Sequence, residues 1–136
     1  MTDVTTTEPR AEVALRRAVD AFNRGDIETW FSTYADDAVY RVAGNNLVSG
    51  SYRGKDEIKA FFQRLFEVTE GTMKVDVVDI LGSDSRAVFI FHVTATRQGK
   101  SLDDTGAMAF RLNDESKFAE SWLMYSHQAA YDEFFG

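Results

Sequence analysis

Few side chains in this sequence could carry acid–base or metal chemistry. The 136-residue chain has two histidines, His92 and His127, and no cysteine. The lack of cysteine excludes a disulfide framework, a thiolate nucleophile and a zinc–thiolate site. The two histidines lack metal-ligand spacing and no glycine-rich phosphate loop follows a predicted strand, so we expect neither a metal nor an organic cofactor. The remaining polar candidates are Asp104, Tyr34, Tyr40 and Tyr125, whereas Asp103 is expected on the outer face in solvent.

Charge and hydropathy restrict the class of protein. The chain has 15 Lys and Arg against 22 Asp and Glu, a net charge of -7. It therefore offers no continuous basic surface for the phosphates of a nucleic acid. No apolar run approaches the roughly 20 residues of a membrane span, and the first residues lack the basic and apolar regions of a signal peptide. We expect a cytoplasmic protein with a disordered tail at 1–8 and a single domain at 9–136.

The periodicity of the apolar residues predicts helices first and strands afterwards. Three amphipathic helices are predicted, from Pro9 to Gly25, from Asp26 to about Tyr34, and between Gly54 and Gly71. A short strand is predicted at 38–43, and β-rich segments at about 72–82, 86–97, 102–112 and 117–126. This order favours an α+β domain in which three N-terminal helices pack on one face of a curved, mainly antiparallel sheet.

Several short motifs resemble one superfamily. They are Phe22-Asn23-Arg24-Gly25-Asp26-Ile27-Glu28, Tyr34-Ala35-Asp36-Asp37-Ala38-Val39 and Gly54-Lys55-Asp56-Glu57-Ile58-Lys59-Ala60-Phe61-Phe62. They resemble the NTF2-like superfamily, and within it the SnoaL-like and ketosteroid-isomerase-like proteins. Trp122 followed by Ala130-x-Asp132-x-Phe134 is similar to the end of a SnoaL-like subgroup. The resemblance covers roughly residues 10–135 and implies a cone of helices and bent sheet around a pocket.

The resemblance also provides a test for catalysis. Ketosteroid isomerases use a hydroxyl, a carboxylate base and a protonated carboxylic acid. Aligned on the shared motifs, these positions are occupied by Ala18, Val42 and Met108, none of which can transfer a proton. The acid/base aspartate of SnoaL-type cyclases is matched by Leu123. The resemblance therefore implies a cone that lacks the catalytic triad of the isomerases.

Strand alternation with the same register predicts which side chains face the pocket. The inward set from the strands is Tyr40, Val42, Phe89, Phe91, Val93, Ala95, Arg97, Asp104, Met108, Phe110, Ser121, Leu123 and Tyr125. The helices are expected to add Ala18, Phe22, Trp30, Tyr34, Phe62 and Phe66. Asp104, Tyr40, Tyr34 and Tyr125 are the catalytic candidates, and the others would bind substrate. An aromatic wall with few polar groups is typical of a small-molecule site.

Each polar candidate has a second interpretation. Tyr34 is either a core aromatic or a pocket donor, whereas Tyr40 is expected near the pocket mouth, where it would touch a ligand. Asp104 is either an ordinary hairpin acid or a carboxyl with a pKa raised by apolar walls. Arg97 is expected at the rim, with an oxyanion-donor role as the alternative. His127 is expected on the surface rather than closing the pocket.

The outward side of the last strand predicts an interface. Trp122 and Met124 alternate with the inward residues, and an outward Trp would be a costly exposed patch in a monomer. We therefore expect a homodimer through the outer face of the sheet, formed by Trp122, Met124 and His92. The terminal aromatics Tyr131, Phe134 and Phe135 are expected to pack on the body or across that interface.

Three functions fit this pattern. The first is a cofactor-independent cyclase, isomerase or dehydratase acting on a hydrophobic polyketide- or steroid-like substrate, with orientation of the substrate supplying much of the acceleration. The second is a non-catalytic ligand-binding or accessory dimer, and the third is a protein-interaction scaffold. A raised Asp104 pKa inside the cavity would favour the enzyme, and a solvent-facing Asp104 would favour the binding protein.

Overall fold

The computed structural model describes residues 8–136 and has four helices and six strands. In chain order the elements are α1 (Arg10–Asn23), α2 (Ile27–Ser32), β1 (Tyr34–Val42), β2 (Gly50–Arg53), α3 (Gly54–Val68), β3 (Lys74–Gly82), β4 (Arg86–Arg97), β5 (Lys100–Leu112), β6 (Phe118–Tyr125) and α4 (Gln128–Phe134). The α+β class is confirmed. The tail predicted at 1–8 lies, except for Glu8, outside the described residues.

The six strands form one sheet in the order β2-β1-β6-β5-β4-β3. Neighbouring strands are antiparallel except β1 and β6, which run parallel. Register shifts interrupt β1 between Tyr34 and Val39, β3 between Val77 and Asp79, and β5 between Arg111 and Leu112. Such irregularities bend a strand and increase its local twist. The bending gives the sheet a concave face on which α1 and α3 pack.

The helices begin and end where local chemistry dictates. Asp26 caps α2, because its carboxylate accepts hydrogen bonds from the Thr29 N–H at 3.2 Å and the Thr29 hydroxyl at 2.6 Å. Glu57 in the first turn of α3 accepts from the Arg53 N–H at 3.1 Å. After α1 the chain turns at Gly25, which has a φ of +77° that favours glycine. The apolar sides of α1 and α3 pack inward, with Leu15 of α1 and Ile58 and Phe61 of α3 buried.

Three predictions about the elements need correction. Tyr34 is the first residue of β1 instead of the end of α2, since α2 stops at Ser32 and the chain is extended from Tyr34 onward. The short strand β2, which pairs with β1, had no counterpart among the predicted strands. A fourth helix, α4, follows the last strand, so the helices are not confined to the N-terminal half. The aromatic spacing Tyr131, Phe134, Phe135 is that of a helix buried on one side.

Candidate functional site

An interior cavity of about 110 Å³ lies between the concave face of the sheet and the helices. Nearly all of its wall is aliphatic or aromatic, and no residue with a charged side chain lines it. The lining residues are Val19, Phe22, Trp30, Tyr40, Phe62, Leu65, Met73, Val75, Val77, Phe89, Phe91, Val93, Met108, Leu123, Tyr125, Tyr131 and Phe135. The cavity therefore suits an uncharged apolar molecule or part of one.

The sheet supplies the wall through strand alternation. Phe89, Phe91 and Val93 alternate with more exposed residues along β4. Met108 of the neighbouring strand β5 pairs with Phe89. Leu123 on β6 pairs in turn with Met108. Because successive side chains point to opposite faces, every second residue of these strands reaches the cavity.

Ten of the predicted pocket residues meet at this cavity. They are Phe22, Trp30, Tyr40, Phe62, Phe89, Phe91, Val93, Met108, Leu123 and Tyr125. Seven more are buried but do not line the cavity: Ala18, Tyr34, Val42, Ala95, Arg97, Phe110 and Ser121. A buried position on the inner face is thus not sufficient to reach the cavity, because neighbouring rings cover it. Tyr34 and Phe110, for example, both pack edge-to-face with Trp30. Their own rings are tilted against each other at a centroid distance of 6.5 Å.

Phe66 was predicted to line the pocket, but it does not reach the interior. Its side chain is 64% exposed, because it projects from α3 over the turn at Gly71. The missing Cβ of Gly71 leaves room for that ring, whose nearest carbon would lie 3.3 Å from a Cβ there. Phe66 lines an outer groove next to the cavity instead.

Tyr40 is fully buried in the cavity wall, not placed at an open mouth. Its hydroxyl has a single contact of hydrogen-bonding type, with Met108 Sδ at 3.8 Å, and a thioether is a weak acceptor. Burial raises the pKa of Tyr40 well above its ordinary value, and the neighbouring tyrosines add to the effect. The phenol therefore stays neutral and can donate a hydrogen bond to a bound molecule.

Tyr34 and Ser121 form a second buried polar pair, behind the cavity wall. Burial raises the pKa of Tyr34, and the Ser121 hydroxyl nearby offsets only part of the rise. Neither hydroxyl makes a hydrogen bond of normal geometry with any described residue. Tyr34 thus packs as a core aromatic, and its hydroxyl is not available to a molecule in the cavity.

Asp104 lies outside the cavity, bonded to His127. Its carboxylate oxygens lie 2.9 and 3.0 Å from His127 Nδ1, and it accepts from the Thr105 N–H at 2.8 Å. Partial burial raises the pKa of Asp104, but the hydrogen bonds from His127 and Thr105 together outweigh burial and leave the pKa below its ordinary value. A pKa raised by apolar walls, which an acid catalyst in the cavity would need, is absent here.

The helix α4 explains why Asp104 is excluded. Tyr131 of α4 lines the cavity, and its hydroxyl donates to the Thr105 carbonyl at 3.2 Å. Arg97 is buried rather than on the rim, and its guanidinium donates to the carbonyl of Gly136 at 3.0 Å. Asp132 accepts from the Asn45 N–H at 3.0 Å, which ties α4 to the loop after β1. Helix α4 thereby covers the end of the sheet where Asp104 lies.

The sequence analysis missed seven wall residues: Val19, Leu65, Met73, Val75, Val77, Tyr131 and Phe135. For the pair Val75 and Val77 the signal was period-two alternation in β3, whose facing had not been assigned. Tyr131 and Phe135 have the i, i+4 spacing of one helix side. Reading that spacing as a helix would have identified both.

The outer face of the sheet carries Trp122, Met124 and His92. Met124 is 45% exposed, and a groove of about 510 Å³ lies beside it, lined also by Leu81, Val88 and Trp122. Arg41 lies over the Trp122 ring at 5.7 Å from its centroid. His92 Nε2 lies 2.5 Å from the Asp103 carboxylate. Within residues 8–136 no helix packs on this face, because α1 and α3 both lie on the concave side.

Two further observations bear on the class of site. Among the described residues, no group of three or more histidine and carboxylate side chains is placed to hold a metal ion. None of the helices within 8–136 is long and apolar enough to span a membrane.

The chain is similar to proteins of one family. The model of the SnoaL-like domain matches residues 15–121. The uncharacterized protein Rv0034 of Mycobacterium tuberculosis is 32% identical over 95 residues, covering 69% of this chain and 72% of that protein. The structure of Bal32a from a soil-derived mobile gene cassette is 29% identical with a TM-score of 0.84, covering 93% of this chain and 97% of that one. Rv0760c of M. tuberculosis, in complex with estradiol-17beta-hemisuccinate, is 18% identical with a TM-score of 0.68, covering 85% of this chain and 93% of that one.

Proposed function

This chain belongs to the SnoaL-like domain family of the NTF2-like superfamily, and from that premise we propose that it binds a neutral, hydrophobic small molecule inside the cone. The observation that carries this proposal is the cavity wall, which has no charged side chain. Burying a charged ligand group there without a partner would cost several kcal/mol or more, on the order expected for an unpaired ion in an apolar site. The wall therefore selects against ions.

The class of ligand follows from the shape and chemistry of the wall. Aromatic rings surround the cavity on several sides, with Trp30 meeting Phe62 edge-to-face at a centroid distance of 6.4 Å. Tyr40 offers a neutral hydrogen-bond donor within this wall. Rv0760c, which has the same fold, is in complex with estradiol-17beta-hemisuccinate, and that complex supports a hydrophobic ligand for this chain. We propose that class, a hydrophobic molecule with few hydrogen-bond acceptors at its buried end.

Fluorescence tests the proposal directly. The chain has two tryptophans, so Trp122→Phe leaves Trp30 in the cavity wall as the only indole. Titrating that variant with N-phenylnaphthylamine, a neutral fluorescent probe, should give saturable binding and transfer of energy from Trp30. The proposal fails if probe emission rises without saturation.

A matched pair of substitutions shows whether the probe enters the cavity. Val77 lines the cavity, whereas its neighbour Val78 is 65% exposed. Val77→Phe should fill part of the cavity and abolish saturable binding, while Val78→Phe should leave binding unchanged. Equal loss of binding in both variants, with both folded by circular dichroism, would contradict an interior site.

Catalysis is the second candidate function, and the Tyr40 hydroxyl is the observation that favours it. A neutral phenol with only a thioether beside it can donate to a developing oxyanion, as a polyketide-type cyclase, isomerase or dehydratase would require. Asp104 and Tyr34 are turned away from the cavity, so the proposal assigns them no chemical step. Once a substrate is found, Tyr40→Phe should lower kcat while Asp104→Asn should not. An unchanged kcat in Tyr40→Phe would remove this candidate.

We also propose that two copies of the chain pair through the outer face of the sheet. The exposed Met124 and the Trp122 groove form an apolar surface of the kind that proteins usually cover. Sedimentation equilibrium at micromolar concentration should give a dimer that Met124→Lys weakens. Leu47→Lys, at a similarly exposed residue away from this face, should have no effect. A monomeric wild-type protein would refute the pairing.

A further inference from the structure

We infer that the interior cavity and the groove outside it are two compartments of one site, which binds an elongated amphiphile with an oxygen-bearing head group. This inference rests on the proposed binding function: the part of the ligand inside the cone is neutral and hydrophobic, and the head group lies outside the cavity, in the groove. The groove has a volume of about 750 Å³, and six of its residues also line the cavity: Phe22, Trp30, Phe62, Leu65, Met73 and Val75. A shared wall of this extent means that a molecule held in one compartment adjoins the other.

The interior compartment restricts the buried end of the ligand. A cavity of about 110 Å³ is several times the space one water requires, roughly 10–15 Å³. It has room for a short alkyl chain or a single ring, and the rest of a larger molecule must lie outside. Met73 and Leu65 belong to the wall that the two compartments share, and the unbranched Met73 side chain can rotate to admit a slim group. The buried end is thus narrow and apolar.

The groove has the exposed apolar surface that the middle of such a ligand needs. Phe66 is 64% exposed, Ile27 43% and Phe22 37%, and all three line the groove. Large apolar side chains clustered at the surface usually mark a binding site. The groove shares a wall with the cavity, so an occupant that enters both buries more apolar area than one that rests on the groove alone.

The head group is assigned by the polar residues at the edge of the groove. Lys59 and Gln63 are one helical turn apart on α3 and both line the groove. The Lys59 ammonium donates hydrogen bonds, and so does the amide of Gln63. Lys59 makes no salt bridge with another residue in the range 8–136, so its charge is available.

Glu67 sets the direction in which the ligand lies. It is eight residues after Lys59 on α3, about 12 Å away at 1.5 Å per residue. Its carboxylate would repel an anionic head and cannot donate to a neutral oxygen. A carboxylate, ester or hydroxyl head therefore lies at the Lys59 end of the groove, with its chain directed past Met73 into the cavity.

Calorimetry with straight-chain carboxylic acids of increasing length tests the inference. Affinity should rise with each added methylene, because more of the chain is buried, and then level off once the cavity is filled. Amines of the same length should bind at least about tenfold more weakly. Acids that bind with no dependence on length, or no better than the amines, would overturn the two-compartment site.

Surface variants separate this inference from the proposed function. The double change Lys59→Ala with Gln63→Ala should weaken acid binding by about tenfold and leave N-phenylnaphthylamine binding unchanged. Glu67→Ala, on the same side of α3, should leave acid binding equal or tighter. If the wild type binds N-phenylnaphthylamine but the double variant binds acids as the wild type does, the inference is wrong and the proposed function stands. If the wild type binds neither probe, both are wrong. Acid binding weakened to the same extent in Glu67→Ala would show that the Lys59 end does not hold the head and would overturn the assignment.

Discussion

Tyr125 at the end of β6 and Tyr131 in α4 stack face to face, with ring centroids 3.5 Å apart and an interplanar angle of 19°. Both rings line the cavity, and Tyr131 is 1% exposed. Burial raises the pKa of both phenols, so both remain neutral donors at physiological pH. The helix that follows the last strand is therefore part of the wall of the cone.

Removing the Tyr131 ring should destabilise the fold. Tyr131→Ala deletes a buried aromatic ring and leaves a void, for which comparable substitutions cost about 3–5 kcal/mol. Urea denaturation followed by circular dichroism would measure the loss. Tyr131→Phe, the matched control, removes only the hydrogen bond to the Thr105 carbonyl and should cost about 1 kcal/mol. Equal losses in the two variants would mean that the ring does not seal the cavity.

Unlike most core substitutions, Tyr34→Phe should not lower the stability of the fold. The Tyr34 hydroxyl is buried and lacks a hydrogen bond of normal geometry to the described residues. Deleting such a group removes its desolvation cost, so stability should stay within about 0.5 kcal/mol of the wild type or rise. Ser121→Ala should behave in the same way. A loss of more than about 2 kcal/mol in either variant would reveal a polar partner, such as a bound water, that the hydroxyl needs.

The pairing of Asp104 with His127 should make stability depend on pH in the acid range. The pKa of Asp104 is lowered in the folded protein, so its contribution is present above the unfolded carboxyl pKa, about 3.9, and is lost as the pH falls through the folded-state pKa. Asp104→Asn should therefore cost about 1 kcal/mol at pH 7. The difference in free energy of unfolding between the wild type and Asp104→Asn should decrease below about pH 4.

His127→Gln supplies the control for that pH profile. His127 is 75% exposed, so the substitution should remove the pair with little loss of packing. It should shift the acid limb of the stability curve in the same direction as Asp104→Asn. A curve that keeps the wild-type shape in both variants would show that the pair does not contribute to folding.

Gly106→Ala should disturb the cavity through Phe91. A Cβ at Gly106 would lie 2.5 Å from Phe91 Cζ and 2.7 Å from the backbone carbonyl of Met124. The Phe91 ring lines the cavity and must move to make room, at a cost of about 1–3 kcal/mol. In a Phe91→Leu background the cost should shrink, and a double-mutant cycle in urea would measure the coupling. A coupling near zero would mean that the Met124 carbonyl carries the whole clash.

The face of the sheet to which each side chain of the long strands points was predictable, because it depends only on the local alternation of residues along a strand. Phe89, Phe91 and Val93 alternate in the sequence, and the pleat turns every second side chain to the same face. The same rule placed Asp104 on the inner face, where it pairs with Val93, but Asp104 does not line the cavity. Alternation determines the face of a sheet, whereas α4 decides which part of that face is cavity.

Which helix residues are buried in the cavity was less predictable, because that depends on how whole elements pack. Phe62 and Phe66 are one turn apart on α3, yet Phe62 lines the cavity and Phe66 is exposed. Helical spacing gives both residues a similar direction. The difference lies in their neighbours, since Phe62 packs against the rings of Trp30 and Phe61, whereas Phe66 lies over the turn at Gly71.

By itself, the sequence determined the α+β class, the family resemblance and the aromatic character of the wall, because these depend on composition, short motifs and periodicities along the chain. Only the tertiary structure decided that Tyr131 seals the cavity, that Asp104 pairs with His127 outside it, and that the outer groove adjoins it. Those contacts join residues far apart in sequence, such as Tyr131 and Thr105. Their formation depends on how whole elements pack, which no local pattern encodes.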